Sequence, residues 1–206
     1  DARGEMESGI PFGNERLDYP SARLTELAGD LSFSFSSGRH IGTMAHRTLS
    51  GDQGDVLTCA QGAKVIAKAR RYIREGKERI LIENGDSNRL AVIEATSKPA
   101  IRSTTFLEQL RASTSLHYQI FDERERPSGF LSVSPFRRKI RYYDLQGQQI
   151  ALQERSDIEQ NDLKMPTRDD WHLSIFSPRL TVDSSVFVFS AAFSTLLERR
   201  AALPFP

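Results

Sequence analysis

The stretch Ser184-Ser185-Val186-Phe187-Val188-Phe189-Ser190-Ala191-Ala192-Phe193-Ser194-Thr195-Leu196-Leu197 carries no charge until Glu198. Wound as a helix of about four turns, it would be apolar on every side, and such a helix is normally buried in a core or a membrane. It falls short of the roughly 17–25 residues that span a bilayer, so it is expected to be sheathed by the rest of the chain. Asp183 or Ser184 would cap it, and Glu198-Arg199-Arg200 would return it to water, with cations suited to the C-terminal dipole. A β-strand through Val186-Phe187-Val188-Phe189 is the competing possibility. Ala191-Ala192 and Leu196-Leu197 extend the segment past normal strand length and favour a helix over 184–199.

The sheath has to come from the preceding residues, and these read as strands. Leu31-Ser32-Phe33-Ser34-Phe35-Ser36 alternates strictly, and Asp55-Val56-Leu57-Thr58-Cys59-Ala60 suits a further strand. Residues 79–83 and 89–94 flank Asn84-Gly85-Asp86-Ser87-Asn88, which is hairpin chemistry. Residues 117–122 and 129–133, then 139–144 and 148–152, form two more pairs, and 171–176 is the last strand. Two hairpins repeat a unit of aromatic, Asp and turn with Gly, with Asp122 and Asp144 lying 22 residues apart. Such repetition marks an up-and-down barrel or sheet.

Helices are expected at 63–74, where Val65, Ile66, Ala69, Tyr72 and Ile73 share one face and Gly76 follows, and more briefly at 21–28 and 105–111. Residues 1–29 read as a flexible N-terminal arm, and 30–206 as one β-rich domain. The polar stretches 37–55 and 153–170 are expected as long loops. The fold class is therefore mainly β (α+β): an antiparallel β-barrel or strongly curved sheet of hairpins, wrapped around a buried C-terminal helix.

Composition narrows the chemistry. The 206 residues carry a net charge of +1, which argues against a dedicated nucleic-acid coat. The one cysteine, Cys59, cannot form an internal disulfide and excludes a zinc site of several thiolates. No Asn-x-Ser/Thr sequon occurs. His40 and His46 lie in one polar stretch, while His117 and His172 fall in strands, and nothing in their spacing makes them converge on a metal. A nucleophilic Cys59 would need an imidazole beside it, and Thr58-Cys59-Ala60-Gln61-Gly62 matches no signature of such an enzyme. A core Cys59 is favoured. No Gly-x-Ser-x-Gly, P-loop or Gly-x-Gly-x-x-Gly is present, so no enzyme and no cofactor is expected.

The strongest polar features are basic. Lys64, Lys68, Arg71 and Arg74, with Arg137, Arg138 and Lys139, could grip phosphate on an anionic lipid. Nucleic acid is not favoured, and a solvated face is the simpler alternative. Arg39, His40, His46, Arg155, Asp157 and Asp162 lie in the expected loops and are candidates for a protein contact.

A run of antiparallel hairpins ended by one apolar helix resembles the tubby C-terminal-like superfamily, which includes tubby proteins, phospholipid scramblases and LURP-one-related proteins. Ile120-Phe121-Asp122, Tyr142-Tyr143-Asp144-Leu145-Gln146-Gly147 and Val182 through Phe193 carry the likeness, over roughly residues 30 to 200. It implies a β-barrel whose axis is filled by the C-terminal helix, with phosphoinositide or anionic-lipid binding of the tubby-like type as one function. The basic pocket of tubby proteins and the calcium-binding segment of scramblases are not recognisable, so no site residue is carried over. In overall character, with a processed-looking start, a loose arm and a lone cysteine, the chain also resembles secreted effectors of plant-pathogenic fungi, smut fungi among them. That likeness implies a non-enzymatic virulence effector, secreted and translocated into host cytoplasm, that binds and modulates a host protein. A hydrolase using Cys59 or a histidine is the remaining class.

Overall fold

The computed structural model describes the backbone of residues 10–12, 15–17, 22–27, 30–35, 40–48, 54–97, 114–157, 169–177 and 182–202. Side chains are described within 44–48, 54–97, 114–155, 171–177 and 182–197.

Strands β1 (Ile10–Phe12) and β2 (Glu15–Leu17) pair with one another. Strands β3 (Ala22–Leu27), β4 (Asp30–Phe35), β5 (His40–Thr48), β6 (Asp55–Gln61), β7 (Lys64–Arg74), β8 (Lys77–Asn84) and β9 (Arg89–Thr96) begin the main sheet. It continues through β10 (Leu116–Phe121), β11 (Pro127–Val133), β12 (Lys139–Tyr143), β13 (Gln149–Asp157) and β14 (Asp169–Ile175), and helix α1 (Ser184–Ala202) follows. Each strand from β3 to β14 pairs antiparallel with its chain neighbours, giving one 12-stranded sheet. The sheet curls until β14 lies alongside β3. The hydrogen-bonded order nevertheless starts at the one and ends at the other, so the sheet is a strongly curved sleeve and not a ladder-closed barrel.

Helix α1 fills the sleeve. Every residue from Ser184 to Thr195 is buried, and Val186, Phe187, Phe189, Ala192 and Phe193 join one core with Leu57, Ile82, Ile93, Ile120, Leu131, Ile140 and Trp171 from the wall. Small wall residues (Ala67, Ala69, Ala91 and Ala151) belong to the same core. They leave room for the helix phenylalanines, which interior packing density requires to be filled. Tyr142 meets Phe187 edge-on at 4.6 Å between ring centroids. Polar side chains between helix and wall find partners there: Trp171 Nε1–H donates to Thr195 Oγ1 at 3.0 Å, and the Thr195 hydroxyl donates to the Ala191 carbonyl at 3.1 Å. Tyr142 donates to Gln153 Oε1 at 2.5 Å. Asp183 is the N-cap, its Oδ1 accepting from the Ser185 N–H at 2.9 Å and from the Ser185 hydroxyl.

The hairpin repeat is more extensive than the Asp122 and Asp144 pair suggested. In three turns one side-chain oxygen accepts backbone N–H bonds from the residues two and four further on: Asn84 from Asp86 and Asn88, Asp122 from Arg124 and Arg126, and Asp144 from Gln146 and Gln148, all at 2.8–3.0 Å. In each the residue three further on is left-handed: Ser87 (φ 65°), Glu125 (φ 58°) and Gly147 (φ 83°). This is a turn followed by a one-residue bulge. Ser134 opens a fourth turn, one residue longer but likewise with its fourth residue left-handed, Arg137 at φ 53°.

Several expected elements are corrected. Residues 63–74 are not a helix but strand β7, the longest in the sheet. A bulge at Ile66 buries it together with Ala67, after which Ala69 and Arg71 turn inward. Leucine-like spacing at Ile66, Ala69 and Ile73 therefore imitated a helical face. Residues 22–27 are strand β3, not a helix, and pair with β4. Within 37–55, residues 40–48 are strand β5 and Asp55 opens β6, and within 153–170, β13 runs to Asp157 and β14 starts at Asp169, so these parts are strand and not loop; 37–39, 49–53 and 158–168 lie outside the described residues. The helix expected at 105–111 lies outside the described residues. Gly54 shows why the β5–β6 connection turns where it does: at φ +79°, a Cβ would lie 1.8 Å from the Arg71 carbonyl oxygen.

Candidate functional site

Antiparallel neighbours place successive connections at alternate ends of the sleeve. The Asn84, Asp122 and Asp144 turns share one end, near the start of α1. The β5–β6, β7–β8 and β11–β12 connections share the other, where the last buried turns of α1 arrive.

That second end is closed from inside by a polar chain. Asp55, 4% exposed, accepts from His46 Nε2 at 3.0 Å and from Thr48 Oγ1 at 3.3 Å. Arg71 reaches Asp55 at 3.4 Å with one nitrogen and Glu78 at 2.6 Å with another. Glu78 in turn accepts from the Tyr118 hydroxyl at 3.0 Å. Five strands are thereby linked through core-facing side chains, and a buried charge without such partners would be strongly destabilising. Burial works to lower the Arg71 pKa, but the hydrogen bond and charge of Glu78, with the charge of Asp55, more than reverse it, so the guanidinium stays charged. Burial, reinforced by the Glu78 charge, drives the Tyr118 phenol well above its usual range, against a smaller opposing pull from Arg137. Between this chain and α1 lies a cavity of about 20 Å³, bordered by Glu78, Tyr118, Arg137, Ser190, Ser194 and Leu197 among others. That is room for about one water.

The expected site residues are scattered by this geometry. Arg71 faces the interior and is held between two carboxylates, whereas Lys64 and Arg74 are exposed. Lys68 donates to Ser87 Oγ at 3.0 Å and lies 3.5 Å from Glu83. Arg74 is 3.8 Å from Glu75. Lys64 and Arg74 end up at opposite ends of β7, which a helix would have kept within three turns. Arg137, Arg138 and Lys139 gather on the β11–β12 connection, with Lys139 paired to Glu154 at 2.6 Å. On the outer wall a polar depression is bordered by Arg74, Lys77 and Arg79 together with Glu75, Glu94 and Glu125, so its charges are balanced.

Of the loop candidates, His40 and His46 sit in β5, and Arg155 and Asp157 in β13. They are strand residues, because both strands run further than the polar composition indicated. Arg39 and Asp162 lie outside the described residues. Cys59 is fully buried on β6, and burial pushes its thiol up to about 12. His117 and His172 occupy β10 and β14. Among the described residues no group of three or more His, Cys, Asp or Glu side chains is placed to hold a metal ion. Among the described residues no helix is long and apolar enough to cross a membrane.

Asp55, Glu78 and Tyr118 were missed in the sequence. Their only local signal is a charged or phenolic residue at a core-facing position of a strand, visible only once the register is known.

No protein-family model and no curated protein sequence matches the chain. Among solved structures, the X-ray structure of a protein from Arabidopsis thaliana is similar, at 12% identity with a TM-score of 0.47, over 88% of this chain and 90% of that one.

Proposed function

We propose that the chain is a non-enzymatic binding protein that works from its outer surface, its helix-filled β-sleeve resembling the tubby-like kind. One observation carries this: α1 occupies the place where a sleeve of this size would hold a ligand, and among the described residues the cavity beside it has a volume of about 20 Å³. The nucleophile an enzyme could have used, Cys59, is shut away as a neutral thiol. The finer form of the proposal is a secreted virulence effector of a plant pathogen, translocated into host cytoplasm, that binds and modulates a host protein. It is supported by the general character of the sequence. Affinity capture from host-plant extract, read by quantitative mass spectrometry against an unrelated β-barrel bait, tests it. Reproducible enrichment of one host protein is expected, and recovery at background level overturns it.

The alternative is peripheral binding of anionic lipid. Exposed Lys64 and Arg74, and the cations of the β11–β12 connection, favour it. It requires sedimentation with phosphatidylserine vesicles that weakens as salt rises, and salt-insensitive or absent sedimentation removes it.

A further inference from the structure

The two mouths of the sleeve treat α1 differently. At the mouth lined by the Asp55–Arg71–Glu78–Tyr118 chain the helix emerges, and Leu196 and Leu197 are only half-buried. At the mouth where it begins, Val182 is buried, and Ser184 and Ser185 are 2% and 0% exposed. The first N–H groups of a helix have no partners within it, so a helix start usually lies open to water or to a cap. Here the start is covered as deeply as the middle. Some element must lie over that mouth.

The β1–β2 hairpin is placed to do so. Only Gly13 and Asn14 separate its strands, a pair of residue types suited to a two-residue hairpin turn. Its strands pair with one another, Ile10 with Leu17 and Phe12 with Glu15, and stand outside the 12-stranded ladder. A lone two-stranded hairpin is marginal in water unless it packs on something, and β1 lies against α1. Chain connectivity says where. Four residues join Leu17 to Ala22, a span of at most about 18 Å. Strand alternation puts Ala22 at the mouth where α1 begins, since β3 runs from that mouth to the other. The far end of a 19-residue helix lies about 28 Å away, beyond the reach of that tether, and the sheet wall blocks the helix from the side.

We propose that the β1–β2 hairpin is a lid over the mouth at which α1 begins, and that it opens while the sheet stays folded. Opening it breaks no rung of the main ladder, because the hairpin shares none. What is lost is its contact with α1, so the opening is local and costs less than unfolding the sleeve. Closed, the lid hides the start of a helix whose next residues, Val186 and Phe187, are apolar and fully buried. Open, it exposes that start to the surroundings and gives the molecule two surface states. The device depends only on topology and burial, and stands apart from the binding role proposed above.

The test is hydrogen–deuterium exchange read by mass spectrometry on the full chain, following peptides over 10–17, 184–190 and 116–133. In wild type, 10–17 should exchange more slowly than a free chain, yet about tenfold or more faster than 116–133. Two variants remove the lid: deletion of residues 1–20, and the full-length double substitution Ile10→Asp with Phe12→Asp. In both, exchange over 184–190 should rise about tenfold or more while 116–133 stays as in wild type. Unchanged exchange over 184–190 overturns the proposal, because the hairpin then covers nothing. Free-chain exchange over 10–17 in wild type overturns it too, since no closed state exists. Equal acceleration over 116–133 places the hairpin in the cooperative core and makes it no lid. Loss of the folded circular dichroism signal in both variants counts as that same result.

Discussion

Single side chains set the turns of this sleeve. The Asp144 oxygen that collects the N–H groups of Gln146 and Gln148 has no replacement in Asp144→Ala, so that variant should lose about 1 kcal/mol in urea unfolding. Asp122 adds a pH dependence. The backbone N–H of Arg126 is the first cause holding its carboxyl below the ordinary carboxylate value, with the Arg126 side chain and the Arg124 N–H assisting. A depressed folded-state pKa contributes stability above the unfolded value, and that contribution is lost as pH falls through the folded one. Asp122→Asn keeps the acceptor but not the charge, so its stability relative to wild type should improve on going from pH 7 to pH 3, as compared by urea midpoints. At Cys59 burial, with the thiol pushed up to about 12, predicts no reaction with a thiol reagent at pH 8 until the protein unfolds. Rapid native labelling would contradict the core placement.

At the scale of elements, β7 explains why part of the fold was legible in the sequence and part was not. Strands β8 to β12 announce themselves by alternation and by the Asn or Asp turns between them, both of which are local properties. In β7 the bulge at Ile66 breaks the alternation, and Arg71 occupies a core-facing position that a local pattern assigns to solvent. Its partners Asp55 and Glu78 come from β6 and β8, so what stabilises Arg71 is visible only in the assembled sheet. The long apolar segment of α1, by contrast, could be placed without any such knowledge, because nothing on its surface suits water. The candidate site was half legible: Arg71, Arg137, Arg138 and Lys139 stood out as basic residues, while Asp55, Glu78 and Tyr118 gained meaning only from the register. The Arg71 arrangement is testable as a unit. Arg71→Ala leaves two carboxylates facing the interior and should cost about 3–5 kcal/mol. Adding Asp55→Asn and Glu78→Gln should recover a substantial part of that loss in the same denaturation assay, whereas simple additivity would deny that the three act together.

For the molecule as a whole, stability hangs on the fit between helix and wall. Phe187 is fully buried and sits edge-on to Tyr142, and its truncation to Ala should lower unfolding stability by about 3–5 kcal/mol. The loss should appear in one cooperative transition, followed equally by far-ultraviolet circular dichroism and Trp171 fluorescence, because the same core joins α1 to strands from β5 through β14. The order of elements also bears on biosynthesis. All fourteen described strands precede α1 along the chain, so a ribosome delivers the wrapping before its contents. Until Ser184 and the residues after it clear the exit tunnel, the nascent sheet has a greasy hollow where its axis will be. The growing polypeptide at that stage is a natural client for chaperones, and its maturation is timed by the emergence of α1.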